Sequence, residues 1–279
     1  MIKKILFGSK DKMKSAYLWN TCAAMLNAFQ TVFILMLISR IDPVIDAGVF
    51  TIAFAIGNLM MAIGKYGIRQ FQVSDVEEKY SFKEYTAARI ITSIIMIAAS
   101  FVYVGVNLAS GLYNSSKSIV IILICLAKVI DAVEDVIHGM FQQYLRLDVA
   151  GKILSIRMCT YIFVYLVCYY FSKNLILTSA VALLVSFIQF VILNYTAIRG
   201  FEIKKKTFEI KNVKNIFVEC FPLFIASYLV IYIGNAPKYA IDAMLTDELQ
   251  ACYLAVQGKT HWITLSRHNT SHTAADAVN

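Results

Sequence analysis

Apolar residues in this chain gather into long runs instead of alternating with polar ones at strand or surface-helix period. Seven runs of about 19 to 25 residues can be marked, at 15–38, 44–63, 90–109, 119–142, 153–171, 175–198 and 216–234. At 1.5 Å per residue, each is long enough to cross a hydrocarbon core of roughly 30 Å. In lipid, runs of this length satisfy their backbone polar groups only as helices. The pattern therefore predicts an all-α polytopic membrane protein with about seven transmembrane helices. The first run does not read as a secretory signal: it is too long, it lacks a small-residue cleavage site, and six more runs follow.

Composition points the same way. Of 279 residues 59% are hydrophobic and 16% charged, with a mean hydropathy of +0.65, where a soluble domain carries nearer a quarter charged residues. The net charge is +8 and the pI about 9.1, which raises the question of a nucleic-acid partner. Placement answers it. Nineteen lysines and arginines lie on one set of connections (the 1–14 arm, the 65–89 region, 146–157 and 199–214), and four, Arg40, Lys117, Lys173 and Lys238, lie on the other. Positive residues are retained on the cytoplasmic face, so the split predicts a cytoplasmic N-terminus. The basic clusters, Lys204-Lys205-Lys206 included, read as topological anchors beside anionic lipid headgroups, with no nucleic acid among the partners.

The six cysteines (Cys22, Cys125, Cys159, Cys168, Cys220 and Cys252) are scattered, without CxxC or metal-ligand spacing. No phosphate-binding glycine loop, GxSxG or HExxH occurs. The chain is not expected to be an enzyme or to hold a metal or cofactor.

One span differs from the rest. The fourth carries Lys128, Asp131, Glu134, Asp135, His138 and Gln142. Lys128, Asp131, Asp135, His138 and Gln142 step by three and four, one stripe of a helix with Glu134 at its margin. The uncharged stretch 119–127 reaches only about 13 Å, so part of the stripe lies at membrane depth. There each ionised group costs about 2.5–3.5 kcal/mol unless it faces protein or water. Two readings fit: a polar pathway for substrate or coupling ion, or a buried network pairing Lys128 with Asp131 and Asp135, and His138 with Glu134. Asn20, Asn27 and Thr31 form a weaker polar stripe on span one, equally suited to a cavity or to helix–helix hydrogen bonds. Gln189 and Asn194 on span six are similar. Arg157 reads as a snorkelling residue at the end of span five, and Pro222 as a kink early in span seven.

Certain stretches resemble a known family. Gly64-Lys65-Tyr66-Gly67-Ile68-Arg69-Gln70-Phe71-Gln72-Val73-Ser74-Asp75-Val76, then Tyr85 to Arg89, the acidic fourth span running into Gln142-Gln143, and Gly234-Asn235-Ala236-Pro237-Lys238-Tyr239 look like segments of bacterial polysaccharide-transport proteins. These are the Wzx-type O-antigen, capsule and teichoic-acid flippases of the multidrug/oligosaccharidyl-lipid/polysaccharide superfamily, and the resemblance covers roughly residues 10–250. It implies two six-helix lobes around a central cavity, alternating access, and transfer of a lipid-linked oligosaccharide across the cytoplasmic membrane, beside polysaccharide polymerase partners. On that reading Lys128 and His138 would meet an anionic head, while Asp131, Glu134 and Asp135 would bind a coupling proton or cation.

Family members have twelve or fourteen spans, and this chain has seven. The expected organisation is a basic cytoplasmic arm (1–14), a first six-helix lobe (15–198), a basic linker (199–215), the start of a second lobe (216–257), and a polar tail (258–279) unlike the family. The tail holds His261, His268 and His272, and a truncation or frame shift near residue 254 is expected. Besides a flippase, the sequence admits a cation-coupled multidrug exporter of the same superfamily or a non-transporting membrane scaffold. If the stripe lines a pathway, Asp131→Asn or Asp135→Asn should block surface polysaccharide without lowering membrane abundance.

Overall fold

A computed structural model describes residues 6–9, 11–41, 45–201, 207–247, 249, 250 and 253. The helices are α1 (Lys12–Ile41), α2 (Ile45–Lys65), α3 (Ile68–Ser74), α4 (Phe82–Ala109), α5 (Ser115–Gln143), α6 (Leu147–Ser172), α7 (Leu175–Ile198) and α8 (Ile210–Met244). The seven long ones coincide with the seven apolar runs. Six are long and apolar enough to cross a membrane, and α5 is set apart by its charges. The chain is an all-α, multi-pass membrane protein.

The distribution of side chains is that of a protein solvated by lipid. Large apolar groups face outward, among them Met25, Phe29 and Phe33 on α1, Ile91, Ile94 and Ile95 on α4, and Phe187, Ile188 and Val191 on α7. Charged and polar groups such as Arg89, Lys128, Glu134 and Arg157 are buried between helices, as expected when the surroundings cannot hydrate them.

Helix α2 lies at the centre, packed on α5, α4 and α8 and touching α1, while α1 pairs with α6 and α7 leans on both α5 and α6. Local chemistry sets the ends. Asn114 and Asn174 cap α5 and α7 by accepting from the backbone N–H of Lys117 and Leu177. Ser81 and Glu84 form a capping box on α4. The turn into α3 needs Gly67, whose φ of 67° an L side chain rarely adopts. The apolar core forms two clusters. One holds Phe50, Ile121, Tyr165 and Tyr169; the other, at the basic end of the bundle, holds Leu6, Tyr85, Phe141 and Ile153. The ionised groups of α5 lie where the two clusters meet.

Helices α2 and α5 approach closely because α2 presents glycine. A Cβ on Gly57 would stand 3.1 Å from Ile124 Cγ2 and 3.3 Å from Lys128 Cγ. One on Gly64 would stand 2.6 Å from Met96 Sδ and 3.1 Å from Ala132 Cβ. Small residues at such seams let membrane helices pack by van der Waals contact. Gly57→Leu is expected to force the pair apart at a cost of about 1–3 kcal/mol. It should lower the thermal midpoint of the detergent-solubilised protein, whereas Gly105→Leu, with nothing within 4 Å, should not.

Three expectations change. Helix α8 begins at Ile210, not near 216, so Pro222 lies in its interior with Pro237 farther along, and the Gly234–Tyr239 stretch belongs to the helix instead of following it. The short α3 was missed. The N-terminal arm is in part docked: Leu6 is buried, and Lys152 donates to its carbonyl (3.0 Å) and to Ser9 Oγ (2.6 Å). The frame shift expected near 254 and the 258–279 tail with its histidines lie outside the described residues.

Candidate functional site

The polar stripe of α5 does not face one space. It divides between two sets of partners: α6 and α7 supply those of Asp131 and Glu134, while α2, α3 and α4 supply those of Asp135.

The first set is a closed network with α6 and α7. Arg157 projects from α6 between two carboxylates: Nη2 reaches Asp131 at 2.6 Å and Glu134 at 2.7 Å, Nε donates to Glu134 at 2.9 Å, and Nη1 donates to Ser186 Oγ at 3.1 Å. Asn194 of α7 donates to the other Glu134 oxygen at 2.8 Å. Lys128 bonds to Asp131 at 3.3 Å and lies 4.2 Å from the Phe54 ring centre, within cation–π range. Two cations thus meet two anions. Arg157 is 2% exposed and Glu134 1%, so this is a neutralised interior, not the rim of an open path. The snorkelling role expected for Arg157 is corrected accordingly: its planar fork holds three helices together.

The second set surrounds Asp135. Arg89 of α4 reaches its carboxylate at 3.0 Å, Arg69 of α3 at 3.4 Å and Lys65 of α2 at 3.9 Å. Arg89 also donates to the Gly64 carbonyl at 2.6 Å, and Arg69 donates to Gln142 Oε1 at 3.2 Å. Among the described residues Lys65, Arg69 and Arg89 have no other ion-pair partner. Three cations therefore share one carboxylate.

This second cluster borders a cavity of about 640 Å³ lined by Lys65, Arg69, Asp135, Gln142, Ser227 and Ile231, among others. Its side chains become more exposed toward the basic end, from 0% for Arg89 through 11% for Asp135 to 29% for Arg69 and 39% for Lys65. The exposed part of the cluster, Lys65 and Arg69, is the part at the end of the bundle that carries the basic loops. Helix α8 forms the cavity's far wall. It is held at the basic end by Glu84, which accepts from Glu209 N and Asn212 Nδ2 (3.0 and 2.8 Å), and by Glu219, which accepts from Lys79 (2.8 Å) and Tyr80 (2.9 Å). The hydrogen bond to Glu219 raises the Lys79 ammonium above the usual lysine range. Tyr66 stacks on Phe224 with ring centres 4.6 Å apart, and burial raises its phenol as well.

Of the residues singled out from sequence, Asp135 and Gln142 line this cavity. Lys128 and Asp131 line only a void of about 10 Å³ beside Gln30 and Tyr161. Glu134 is consumed by Arg157 and Asn194. His138 is buried 4.0 Å from Glu134, with no hydrogen bond to its Nε2. The pairing expected between Lys128 and Asp135 is replaced by the α2, α3 and α4 cations. Asn20 bonds to the carbonyls of Ala16 and Leu147 (2.7 and 3.1 Å), tying α1 to α6, and Asn27 is exposed on the outer surface of α1. Reasoning from sequence missed Lys65, Arg69 and Arg89 as site residues. Their one signal was position, a cluster of cations where α2 ends and α4 begins. Compared with protein-family models, with curated proteins and with solved structures, the chain matches none.

Proposed function

We propose that this protein moves an anionic, lipid-linked oligosaccharide head across the cytoplasmic membrane by alternating access, in a conformation here open to the cytoplasm. One observation carries the reading: a 640 Å³ cavity between the helices, lined by Lys65, Arg69 and Asp135, with Arg89 buried behind the same carboxylate. Two positive charges in excess, on the partly exposed Lys65 and Arg69, attract an anion into the cavity and can bind it without first being stripped of a buried partner. A phosphate or pyrophosphate ester presents the acceptor oxygens that arginine forks and lysine bind. The cavity wall is otherwise apolar or neutral (Met61, Val73, Ser227, Ile231), which suits a headgroup whose lipid tail stays in the bilayer. The same excess of positive charge disfavours an exporter of organic cations. Resemblance of the 64–76 segment to polysaccharide flippases supports the reading, since that segment supplies Lys65 and Arg69.

Proteoliposomes holding the full chain and a fluorescent polyprenyl-pyrophosphate oligosaccharide test the proposal. Transfer between leaflets is expected, and Lys65→Gln with Arg69→Gln should reduce its rate at least about tenfold, each lost charge-assisted contact being worth roughly 1.5–3 kcal/mol. A rate equal to that of empty liposomes, or a double variant as fast as the parent, would sink it.

A further inference from the structure

At the end of the bundle remote from the basic loops, α8 is fastened to the other helices by a third charged cluster. Lys117, in the first turn of α5, reaches Asp242 at 2.7 Å and Asp247 at 2.6 Å. Tyr113 also donates to Asp242 and touches Tyr103 at 3.3 Å. Lys117 is 6% exposed and Asp242 7%, so the ammonium and the carboxylate are sealed from both lipid and water. Just inside, Tyr239 donates to the Ala55 carbonyl of α2 at 3.1 Å. The chain after α8 lies so close to α2 that a Cβ on Gly48 would stand 2.0 Å from the Asp247 carbonyl oxygen.

These contacts lie past the cavity along both helices: Tyr239 and Asp242 beyond Ser227 and Ile231 on α8, and Ala55 and Gly48 beyond Lys65 and Met61 on α2. They are also made by a segment with a built-in joint. Pro237 lies within α8 and has no N–H to return to the preceding turn, and Gly234, one turn earlier, has nothing within 4 Å of where a Cβ would stand. Proline in a helix interior and glycine beside it are where helices bend. Everything that seals the far end (Tyr239, Asp242, Asp247) lies beyond that joint.

We infer that residues 238–247 are a gate. It pivots at Gly234–Pro237 and is held shut by Lys117 through Asp242 and Asp247. Opening it replaces one buried and one part-buried ion pair by hydrated charges, and the cavity then communicates with the opposite face. The inference rests on the cavity being a transport path, but it concerns access alone, and its test reads access, not transport.

In the full chain with its cysteines replaced, Ser227→Cys places one thiol on the cavity wall. A membrane-impermeant maleimide is applied to right-side-out and to inside-out vesicles. With the gate intact, labelling is expected from the basic-loop side alone. Lys117→Met and Gly48→Ala should each raise labelling from the opposite side about tenfold, the shift that follows when roughly 1.4 kcal/mol of bias is removed. Lys117→Arg should stay near the parent. Lys117 and Asp242 are buried and their replacement also costs stability, so Asp247→Asn is the deciding variant. Asp247 is 26% exposed, and its loss leaves the Lys117–Asp242 pair in place. At parental abundance it should give a smaller rise of the same sign. No rise with Asp247→Asn, or equal labelling of the parent from both faces, overturns the gate. Leaflet transfer that persists while the gate fails would leave the transport reading standing, and a working gate without transfer would do the reverse.

Discussion

Replacing Arg157 by methionine is expected to cost about 3–5 kcal/mol and to deplete the protein from the membrane, because it strands two carboxylates in a dry interior. Asp131 and Glu134 depend on the same guanidinium, and Glu134 is 1% exposed. Methionine fills a similar volume and keeps the helix, so the loss measures the network and not a cavity. Lysine should rescue only part, since one ammonium cannot serve Asp131, Glu134 and Ser186 at once as the fork does. The sharper outcome is the triple variant Asp131→Asn, Glu134→Gln, Arg157→Met. Removing a buried ion cluster entirely is often nearly neutral where breaking it is severe, so abundance and thermal midpoint should recover most of what Arg157→Met loses. A single Arg157→Met variant with parental abundance and midpoint would show that the network does not hold α5, α6 and α7 together. The same geometry revises the sequence-based expectation for Asp131→Asn. It should lower abundance, since it takes from buried Lys128 its one ion-pair partner among the described residues and leaves Arg157 with Glu134 alone.

The spans were legible because run length is a local property: hydrocarbon thickness sets it, and the chain states it without reference to any other segment. Boundaries followed less well where charge and apolar character mix. Lys211 and Lys214 mask the first turns of α8, and Glu84 and Lys83 mask those of α4. The seven residues of α3 carry too short a pattern to be seen. The acidic stripe on α5 was legible in its three- and four-residue steps, but its partners were not. A lysine or arginine near the end of a span reads as a loop anchor on position alone. Arg89 and Arg157 were counted that way, and only the register of α4 and α6 against α5 turns them inward. Lys117 was counted as an outer-loop charge for the same reason. Asp131 and Asp135 differ by only about 40° around the helix at 3.6 residues per turn, yet one faces a closed seam and the other a cavity. One-dimensional spacing carries that rotation, but not what stands opposite.

That division gives Asp135 a role unlike that of Asp131. Held by Lys65, Arg69 and Arg89 at the cavity wall, it is the anion already occupying the site, and an incoming phosphate ester must compete with it for the same cations. Asp135→Asn should therefore lower abundance much less than Arg157→Met, the amide oxygen still accepting from Arg89. Lys65 and Arg69 are 39% and 29% exposed and can turn to water, while Arg89 keeps the Gly64 carbonyl. Affinity for inorganic pyrophosphate, read by isothermal titration on the solubilised protein, should rise on the order of tenfold as the competing charge is removed. Leaflet transfer should fall by about as much, because a carrier that holds its anion without a competitor releases it slowly. The two shifts must run in opposite directions to support the competition. If affinity and transfer both fall, Asp135 binds the substrate or its coupling cation directly. If both stay at parental values in a folded variant, the cavity around Asp135 is not the path.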